Sequence, residues 1–323
     1  MSFLDDARAR ARGCGSRIVY AEGLEERAMR AAALLHEQDL ARPILLGPAH
    51  EIQARARGWG IDLVGVATRD PATDPVRPEL DSAYVELRAH KGMTAEKARE
   101  VVARPHYFGA LLVRAGEAEG MVSGLSSETK PFLPAFEIVK TRPGFGRVSS
   151  VFIMSWPERT LFFADCSVNI HPDPATLAEI GRATAATVRS FGLVPKVAFL
   201  SFSTRGSAQD ASVDKVREAV RLARGAEPEL ALDGEMQFDA AFVPAVAGKK
   251  CPDSPLQGQA NVFVFPDLDA GNIAYKITER LAGAAAVGPI LQGLNRPIND
   301  VSRGCSAQDL ADVAVITALQ ARG

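Results

Sequence analysis

The chain has 323 residues, 47% of them hydrophobic and 24% charged, with a formal net charge of −2. A chain of this length is predicted to form two domains. The near-neutral charge argues against a nucleic-acid-binding protein. The N-terminus carries Asp5 and Asp6, and the apolar stretch Leu281–Leu294 is short and contains Pro289, so neither a secretory signal nor a membrane span is expected. The four cysteines are scattered, which predicts free thiols in a reducing cytoplasm rather than a disulfide framework or zinc site.

Short apolar runs alternate with longer amphipathic runs along the chain. Strands are predicted at Arg17–Tyr20, Pro43–Leu46, Gly120–Ser123, Ser149–Met154, Thr160–Ala164, Lys196–Leu200, Leu230–Leu232 and Ala260–Phe265. Helices are predicted at Leu24–Glu37, Ala95–Ala103, Tyr107–Gly116, Asp173–Phe191, Ser212–Arg224, Ala270–Leu281 and Ser306–Ala321. This alternation predicts an α/β protein with mostly parallel sheets and helices on both faces.

Several predicted strands end in polar loops, where ligands of parallel α/β folds usually bind. These loops are Ser123–Pro131, Ala164–Asn169, Ser201–Ala208, Asp233–Gln237 and Pro266–Asn272. Their glycines and hydroxyl groups are typical of anion-binding loops, and Ser127 in the first loop is one candidate ligand. The sequence has no Walker, dinucleotide-binding, H-E-x-x-H or G-x-S-x-G motif, so we expect no metal and no permanently bound cofactor.

Cations near predicted helix and strand ends are candidate phosphate ligands. Arg88 and Lys91 in VELRAHKGM could hold phosphate groups or form a solvated basic face. Arg205 and Ser207 in SFSTRGSA could bind an anion or serve only as turn residues.

The segment PDLDAGNIAYK places Asn272 and Lys276 one turn apart at the opening of a helix. They could contact a ligand, although capping by Asp269 or Asn272 explains the pattern equally well. Cys166 follows a strand, and a small buried thiol is favoured there over a nucleophile.

The stretch Ser302–Ala321 is a polar loop followed by an amphipathic helix. Arg303 carries a permanent positive charge and can bind an anion. It stands just before a helix N-terminus, which itself attracts anions. Ser306 and Asp309 form an S-x-x-D capping pattern. Asp309 is therefore either a cap or a functional carboxylate on this evidence.

Seven segments together resemble the phosphate acetyltransferase family. They are HYFGALLVRAGEAEGMVSG, LFFADCSVN, VAFLSFSTRGSA, LDGEMQFDAA, ANVFVFPDLDAGNIAYK, GPILQGLNRPINDVSRGCSAQDL and VAVITALQA. The resemblance covers nearly the whole chain. It implies a two-domain architecture like that of isocitrate and isopropylmalate dehydrogenases, with the active site in the cleft and a homodimer common. We expect residues 1–148 plus 289–323 in domain one and 149–288 in domain two.

The resemblance also implies roles for single residues. Asp309 matches the family's general base, Ser302 and Arg303 its neighbouring serine and arginine, and Cys305 the cysteine of the same loop. Arg88 matches the substrate-binding arginine. The implied substrates are coenzyme A, acetyl-CoA, phosphate and acetyl phosphate, meeting in one ternary complex. Partial burial would raise the pKa of Asp309, and Arg303 nearby would lower it. We expect desolvation to dominate when substrate closes the cleft, or else proton removal to be concerted with attack.

One departure from the family pattern concerns the loop after the fourth strand. Leu133 stands where the family's L-L-R-P arginine would be, and Lys130 is the nearest cation that could compensate. This leaves acyl-chain choice open, so a phosphate butyryltransferase is a second hypothesis. A third is an acetyl-CoA-sensing module like those of some malic enzymes. The start at Met1, with no preceding catalytic domain, and the presence of the base, serine and arginine favour an enzyme.

Overall fold

A computed structural model describes residues 3–125 and 135–322, with the side chains of 135 and 136 left out, and the chain divides into two compact units. The terminal unit comprises residues 4–142 and 294–322, and the middle unit comprises residues 143–293 together with Phe3. The domain bounds predicted from sequence lie five or six residues from the points where the chain passes from one unit to the other. The predicted cleft site stays a prediction.

A parallel five-stranded sheet forms the centre of the terminal unit. Its order is β11-β4-β1-β2-β3, with β1 Arg17–Tyr20, β2 Arg42–Leu46, β3 Ala67–Arg69, β4 Gly120–Ser123 and β11 Ile298–Asp300. The strands β1, β2 and β4 are almost entirely buried because their continuous apolar runs fill both faces of the sheet. Because the five strands are parallel, their carboxyl ends all lie at one edge of the sheet.

Helices accompany this sheet along the chain. They are α1 Phe3–Ala11, α2 Glu26–Glu37, α3 Ala49–Gly58, α4 Arg77–Arg88, α5 Ala95–Val102, α6 Pro105–Ala115 and, near the C-terminus, α12 Ala307–Gln320. A 3₁₀ turn covers Ala89–Lys91 and a π-helical turn covers Ala135–Val139.

Helix α12 is buried without interruption from Leu310 to Leu319 and packs on α2, β1 and β4. The Tyr20 hydroxyl donates to the Leu310 carbonyl at 3.2 Å. Asp312 is only 4% exposed, and the Arg8 guanidinium pairs with both of its oxygens at 2.7 and 2.8 Å. A buried carboxylate needs such a partner, so the contacts of Tyr20 and Arg8 both help to hold helix α12 in position.

The middle unit contains a mixed six-stranded sheet of order β10-β5-β6-β9-β7-β8. Its strands are β5 Ser149–Trp156, β6 Arg159–Ala164, β7 Val197–Leu200, β8 Leu232–Met236, β9 Val262–Val264 and β10 Ala285–Gln292. The pairs β10–β5 and β5–β6 are antiparallel, and the other three are parallel. The helices are α7 Pro174–Ser190, α8 Ala211–Ala226, α9 Phe238–Phe242, α10 Pro244–Lys250 and α11 Leu268–Ala282.

The predicted fold class, α/β with mostly parallel sheets, is confirmed. One strand was predicted in the wrong place, since β8 runs over Leu232–Met236 rather than Leu230–Leu232. It carries the buried carboxylates of Asp233 and Glu235, which hide the strand pattern. No helix among residues 3–125 and 135–322 is both long and apolar enough to span a membrane.

Candidate active site

Asp309 stands in the first turn of α12 and completes a capping box with Ser306. The Ser306 hydroxyl accepts from the Asp309 amide at 3.1 Å, while Asp309 Oδ2 accepts from the Ser306 amide at 2.9 Å and from its hydroxyl at 2.8 Å. The predicted cap is therefore confirmed. Asp309 is exposed, because the cap holds the carboxylate at the helix start rather than in the core.

The cap occupies one carboxylate oxygen of Asp309. Both bonds from Ser306 end on Oδ2. Oδ1 therefore stays available to accept a proton or a hydrogen bond from a ligand.

The loop before α12 is a tight turn held by a residue that the sequence did not indicate. The Cys305 amide donates to the Ser302 carbonyl at 2.9 Å, and the Gly304 amide donates to Ser302 Oγ at 3.3 Å. Arg27 of α2 donates to the carbonyls of Arg303 at 2.6 Å and Cys305 at 3.0 Å. The Arg303 side chain is exposed, so its guanidinium can reach an anion from solvent.

The thiols of Cys305 and Cys166 are not activated. The pKa of Cys305 is raised, chiefly by burial. The charge of Arg27 lowers this pKa, and the charge of Asp309 raises it. The pKa of Cys166, which is fully buried, is raised well above its ordinary value by burial and then by Asp165. A nucleophilic cysteine needs a lowered pKa, so Cys166 is the buried thiol that was predicted.

Arg88 lies at the end of α4 and is partly buried rather than part of a solvated basic face. Its Nη2 lies 3.2 Å from Glu137 Oε1, and the Tyr84 hydroxyl donates to Glu137 Oε2 at 3.3 Å. Arg88 Nε is buried with no hydrogen-bond partner among the described residues. Burial, followed by the charge of Glu137, raises the pKa of Tyr84 to about 12. The candidates Ser127 and Lys130, and the departure at Leu133, lie outside the described residues.

The loop that carries Arg205 and Ser207 already encloses an anion of the protein itself. Glu235 Oε1 accepts from the Ser203 hydroxyl at 2.9 Å and from the Gly206 amide at 2.8 Å, and Arg217 Nε donates to Glu235 Oε2 at 2.9 Å. The Ser207 hydroxyl accepts from a loop amide at 3.0 Å. The turn interpretation of this loop therefore explains its polar groups.

Arg205 itself pairs with a buried carboxylate of β8. Its Nη2 lies 2.5 Å from Asp233 Oδ2, and Arg224 lies 3.4 Å from the other oxygen. Asp233 is 2% exposed, so these two cations offset the cost of burying its charge.

Helix α11 is capped by a different residue from the two predicted. Asp267 accepts from the Ala270 amide at 2.9 Å, so the suggestion that Asp269 or Asn272 caps the helix was wrong. Asn272 Nδ2 instead donates to the Cys166 carbonyl at 3.1 Å.

The remaining candidate on α11 is Lys276, whose Nζ donates to the Tyr275 hydroxyl at 2.7 Å. The candidates divide between the two units. The terminal unit holds Arg88, Ser302, Arg303, Cys305 and Asp309, and the middle unit holds Arg205, Ser207, Asn272 and Lys276.

A cavity of about 400 Å³ opens at the carboxyl ends of β1, β2 and β3. Glu22, Gly47 and Asp70, which follow these strands, line it together with Arg55 and His106. Its three carboxylates, of Glu22, Glu25 and Asp70, suit hydroxyl or amino groups of a ligand better than phosphate. Sequence patterns did not indicate this cavity, because its lining comes from segments that are distant along the chain.

Comparisons with known proteins agree over the full length. A family profile described as phosphate acetyl/butaryl transferase matches residues 2–318. A phosphate acetyltransferase of Bacillus subtilis (strain 168) is 50% identical over 306 residues, which is 94% of both chains. The EutD phosphotransacetylase from Staphylococcus aureus superposes with a TM-score of 0.95 at 46% identity, covering 99% of this chain and 98% of its own. A phosphotransacetylase from Streptococcus pyogenes has a TM-score of 0.94 at 46% identity, with 99% and 98% covered.

Proposed function

The chain belongs to the phosphate acetyl/butaryl transferase family and is an acyltransferase, and we propose that it catalyses the reaction acetyl-CoA + phosphate = coenzyme A + acetyl phosphate through a ternary complex, with Asp309 as the base. The observation that carries this proposal is the near-50% identity, over almost the whole chain, to enzymes named phosphate acetyltransferase. Coenzyme A is a substrate here rather than a bound cofactor.

In the direction that forms acetyl-CoA from acetyl phosphate, Asp309 would accept the proton of the coenzyme A thiol. It would do so through Oδ1, the oxygen that the cap does not use. An ordinary thiol has a pKa near 8.5 and an ordinary aspartate one near 3.9, so full transfer is uphill by roughly 4.6 units, or about 6 kcal/mol. We therefore favour proton removal that is concerted with attack of sulfur on the acyl carbon.

Arg303 and Ser302 would stabilise the groups that gain charge during transfer. Arg303 presents a planar guanidinium to the phosphoryl oxygens of acetyl phosphate, which become the leaving phosphate. Ser302 Oγ accepts from Gly304, which leaves its own proton for the acyl carbonyl oxygen.

The raised pKa of Cys305 and of Cys166 supports direct transfer without a protein nucleophile. In such a ternary complex, holding the two substrates in contact supplies a large part of the acceleration. Arg88 would hold a further phosphate group, and its buried Nε, which has no hydrogen-bond partner within residues 3–125 and 135–322, supports that role. Ser127, Lys130, Arg205, Ser207, Asn272 and Lys276 remain candidate substrate ligands.

We further propose a homodimer in the cytoplasm. Helix α11 exposes Ile273, Ile277 and Leu281 at four-residue spacing, with exposed fractions of 57%, 52% and 84%. An apolar stripe of this kind on a helix is typical of an interface. All four cysteines are free thiols, which suits a reducing compartment. Light scattering of Leu281→Glu against the unaltered chain tests the interface.

The decisive experiment is phosphate-dependent or arsenate-dependent loss of acetyl-CoA with the purified chain. The proposal requires thioester loss only when the oxyanion is present. Tight acetyl-CoA binding without turnover would instead favour a sensing module. Because Leu133 departs from the family pattern, kcat/KM should be compared for acetyl-CoA and butyryl-CoA, and a preference for butyryl-CoA would favour the longer-chain alternative.

A further inference from the structure

A group of buried polar side chains lies beside the loop that carries Ser302 and Arg303. In the parallel pairing of β4 with β11, Ser123 stands opposite Asp300, so the two side chains point to the same face of the sheet. Both lie at the carboxyl ends of their strands. Glu22 follows the end of β1, the other neighbour of β4.

Glu22 is tied to the backbone that follows β4. Its side chain is 7% exposed, and its two carboxylate oxygens accept from the Gly124 amide at 3.2 and 3.1 Å. His106 of α6 lies beside it, with Nε2 3.4 Å from Glu22 Oε1. These contacts keep a carboxylate buried at the wall of the 400 Å³ cavity.

Asp300 packs against the same peptide but lacks comparable donors. Its Oδ1 is buried with no hydrogen-bond partner among the described residues, and the same is true of the hydroxyl of Ser123, which is 1% exposed. A Cβ atom at Gly124, where φ is +114°, would overlap with Asp300 Oδ1. Gly124 thus lets the carboxyl groups of Glu22 and Asp300 lie against one residue.

The surroundings of Asp300 favour its neutral form. Burial, and then the charge of Glu22, raise the pKa of Asp300 to about 7, while the Val301 amide and His106 lower it. Glu22 and His106 are the charged or titratable groups of the described residues that face it. The neutral form of Asp300 suits an oxygen that has no donor among the described residues, whereas the ionised form would place an uncompensated charge beside the carboxylate of Glu22.

The loop after Asp300 is anchored directly to β4. The Val301 amide donates to the Ser123 carbonyl at 2.9 Å, and Val301 is the one residue between Asp300 and the tight turn at Ser302–Cys305. A shift of Asp300 therefore moves the attachment point of that turn.

We propose that Asp300 is a positioning residue for the transfer reaction, which in its neutral form holds the loop Val301–Ser306 so that Ser302 and Arg303 meet the substrates. Ionisation of Asp300 repels Glu22, displaces the loop and lowers turnover. This inference rests on the proposed function, and it adds a residue that does not itself touch substrate.

The test is the ratio of kcat/KM for Asp300→Asn to that of the unaltered enzyme, measured from pH 6 to pH 8. Asparagine mimics the neutral side chain, and the ratio cancels the ionisation of coenzyme A and phosphate. With a pKa near 7, the neutral fraction of Asp300 falls about tenfold over this range. The ratio should therefore rise about tenfold.

Two further variants separate this role from a general structural one. Glu22→Gln removes the repelling charge, so ionisation of Asp300 should no longer displace the loop and the loss of activity above pH 7 should largely disappear, whereas Glu26→Gln, an exposed carboxylate paired with Arg30, should leave the profile unchanged. Hydrogen exchange at the Val301 and Cys305 amides should quicken above pH 7, after correction for intrinsic rates, only while Asp300 is present.

The outcomes distinguish this inference from the proposed function. An unaltered enzyme that forms no acetyl phosphate from acetyl-CoA would contradict the function itself. An active enzyme with a flat ratio, and with loop exchange that is the same in Asp300→Asn, would overturn the role of Asp300. If Asp300→Asn does not fold, the disappearance of the high-pH loss in Glu22→Gln still decides the question.

Discussion

The two roles of Asp309, helix cap and base, can be separated by substitution. Asp309→Asn keeps an oxygen that can accept from both the amide and the hydroxyl of Ser306, as Oδ2 does now. Ser306→Ala removes the capping hydroxyl and keeps the carboxylate. The first variant therefore tests the base, and the second tests the cap.

The expected magnitudes are well separated. Losing the Ser306 hydroxyl should cost about 1 kcal/mol of stability, the usual value for a helix N-cap. Asp309→Asn should cost less than about 1 kcal/mol, since it loses only the favourable charge at the helix N-terminus. If Asp309 is the base, kcat should fall on the order of 10²-fold or more, equivalent to about 2.7 kcal/mol of transition-state stabilisation.

Thermal unfolding and steady-state kinetics on both variants supply the two measurements. We expect Ser306→Ala to be the less stable protein and Asp309→Asn the less active one, with its substrate KM values within a few-fold of the unaltered enzyme. Turnover retained in Asp309→Asn would reduce this carboxylate to a cap. Equal losses of turnover in both variants would mean that turnover depends on the structure of the helix start rather than on the carboxylate of Asp309.

Three further substitutions test the surroundings of the site. Arg303→Lys loses the bidentate fork and should raise the KM for acetyl phosphate about tenfold; unchanged kinetics would remove Arg303 from the site. Glu137→Gln frees Arg88 from its 3.2 Å ion pair, so the KM for phosphate should fall a few-fold, and a rise would show that Glu137 orients Arg88 instead. Arg8→Ala leaves Asp312 buried without its cation and should cost about 2–4 kcal/mol by thermal unfolding at pH 7.5. Burial raises the pKa of Asp312 and Arg8 lowers it, so this deficit should shrink towards pH 5 as Asp312 takes up a proton; a constant deficit would contradict that reasoning.

Parts of the fold could be predicted because they depend on local sequence. The strands Arg17–Tyr20 and Gly120–Ser123 were predicted with the bounds observed, since a continuous apolar run between polar loops has few other interpretations. Strand β10 was missed, because Pro289 and a register shift between Val287 and Ile290 interrupt its pattern. The charged helix α4 was missed because its apolar face is narrow, with two buried residues, Leu80 and Tyr84.

The site could be predicted only in part, for a related reason. The capping pattern of Ser306 and Asp309 spans four residues and is visible in the sequence. Arg27 supports the same loop from 276 residues away. Nothing in the local sequence indicates such a contact, because a single arginine on a helix is usually solvated.

Cap and base are compatible roles for Asp309 because the geometry assigns them to different atoms. The bonds from Ser306 fix the carboxylate through Oδ2 and leave Oδ1 with a defined direction. The helix behind it is buried from Leu310 to Leu319 and cannot easily shift. A base that is held by its own cap loses little conformational entropy when substrate arrives. The capping interpretation of the sequence therefore describes how the proposed base is positioned, rather than an alternative to it.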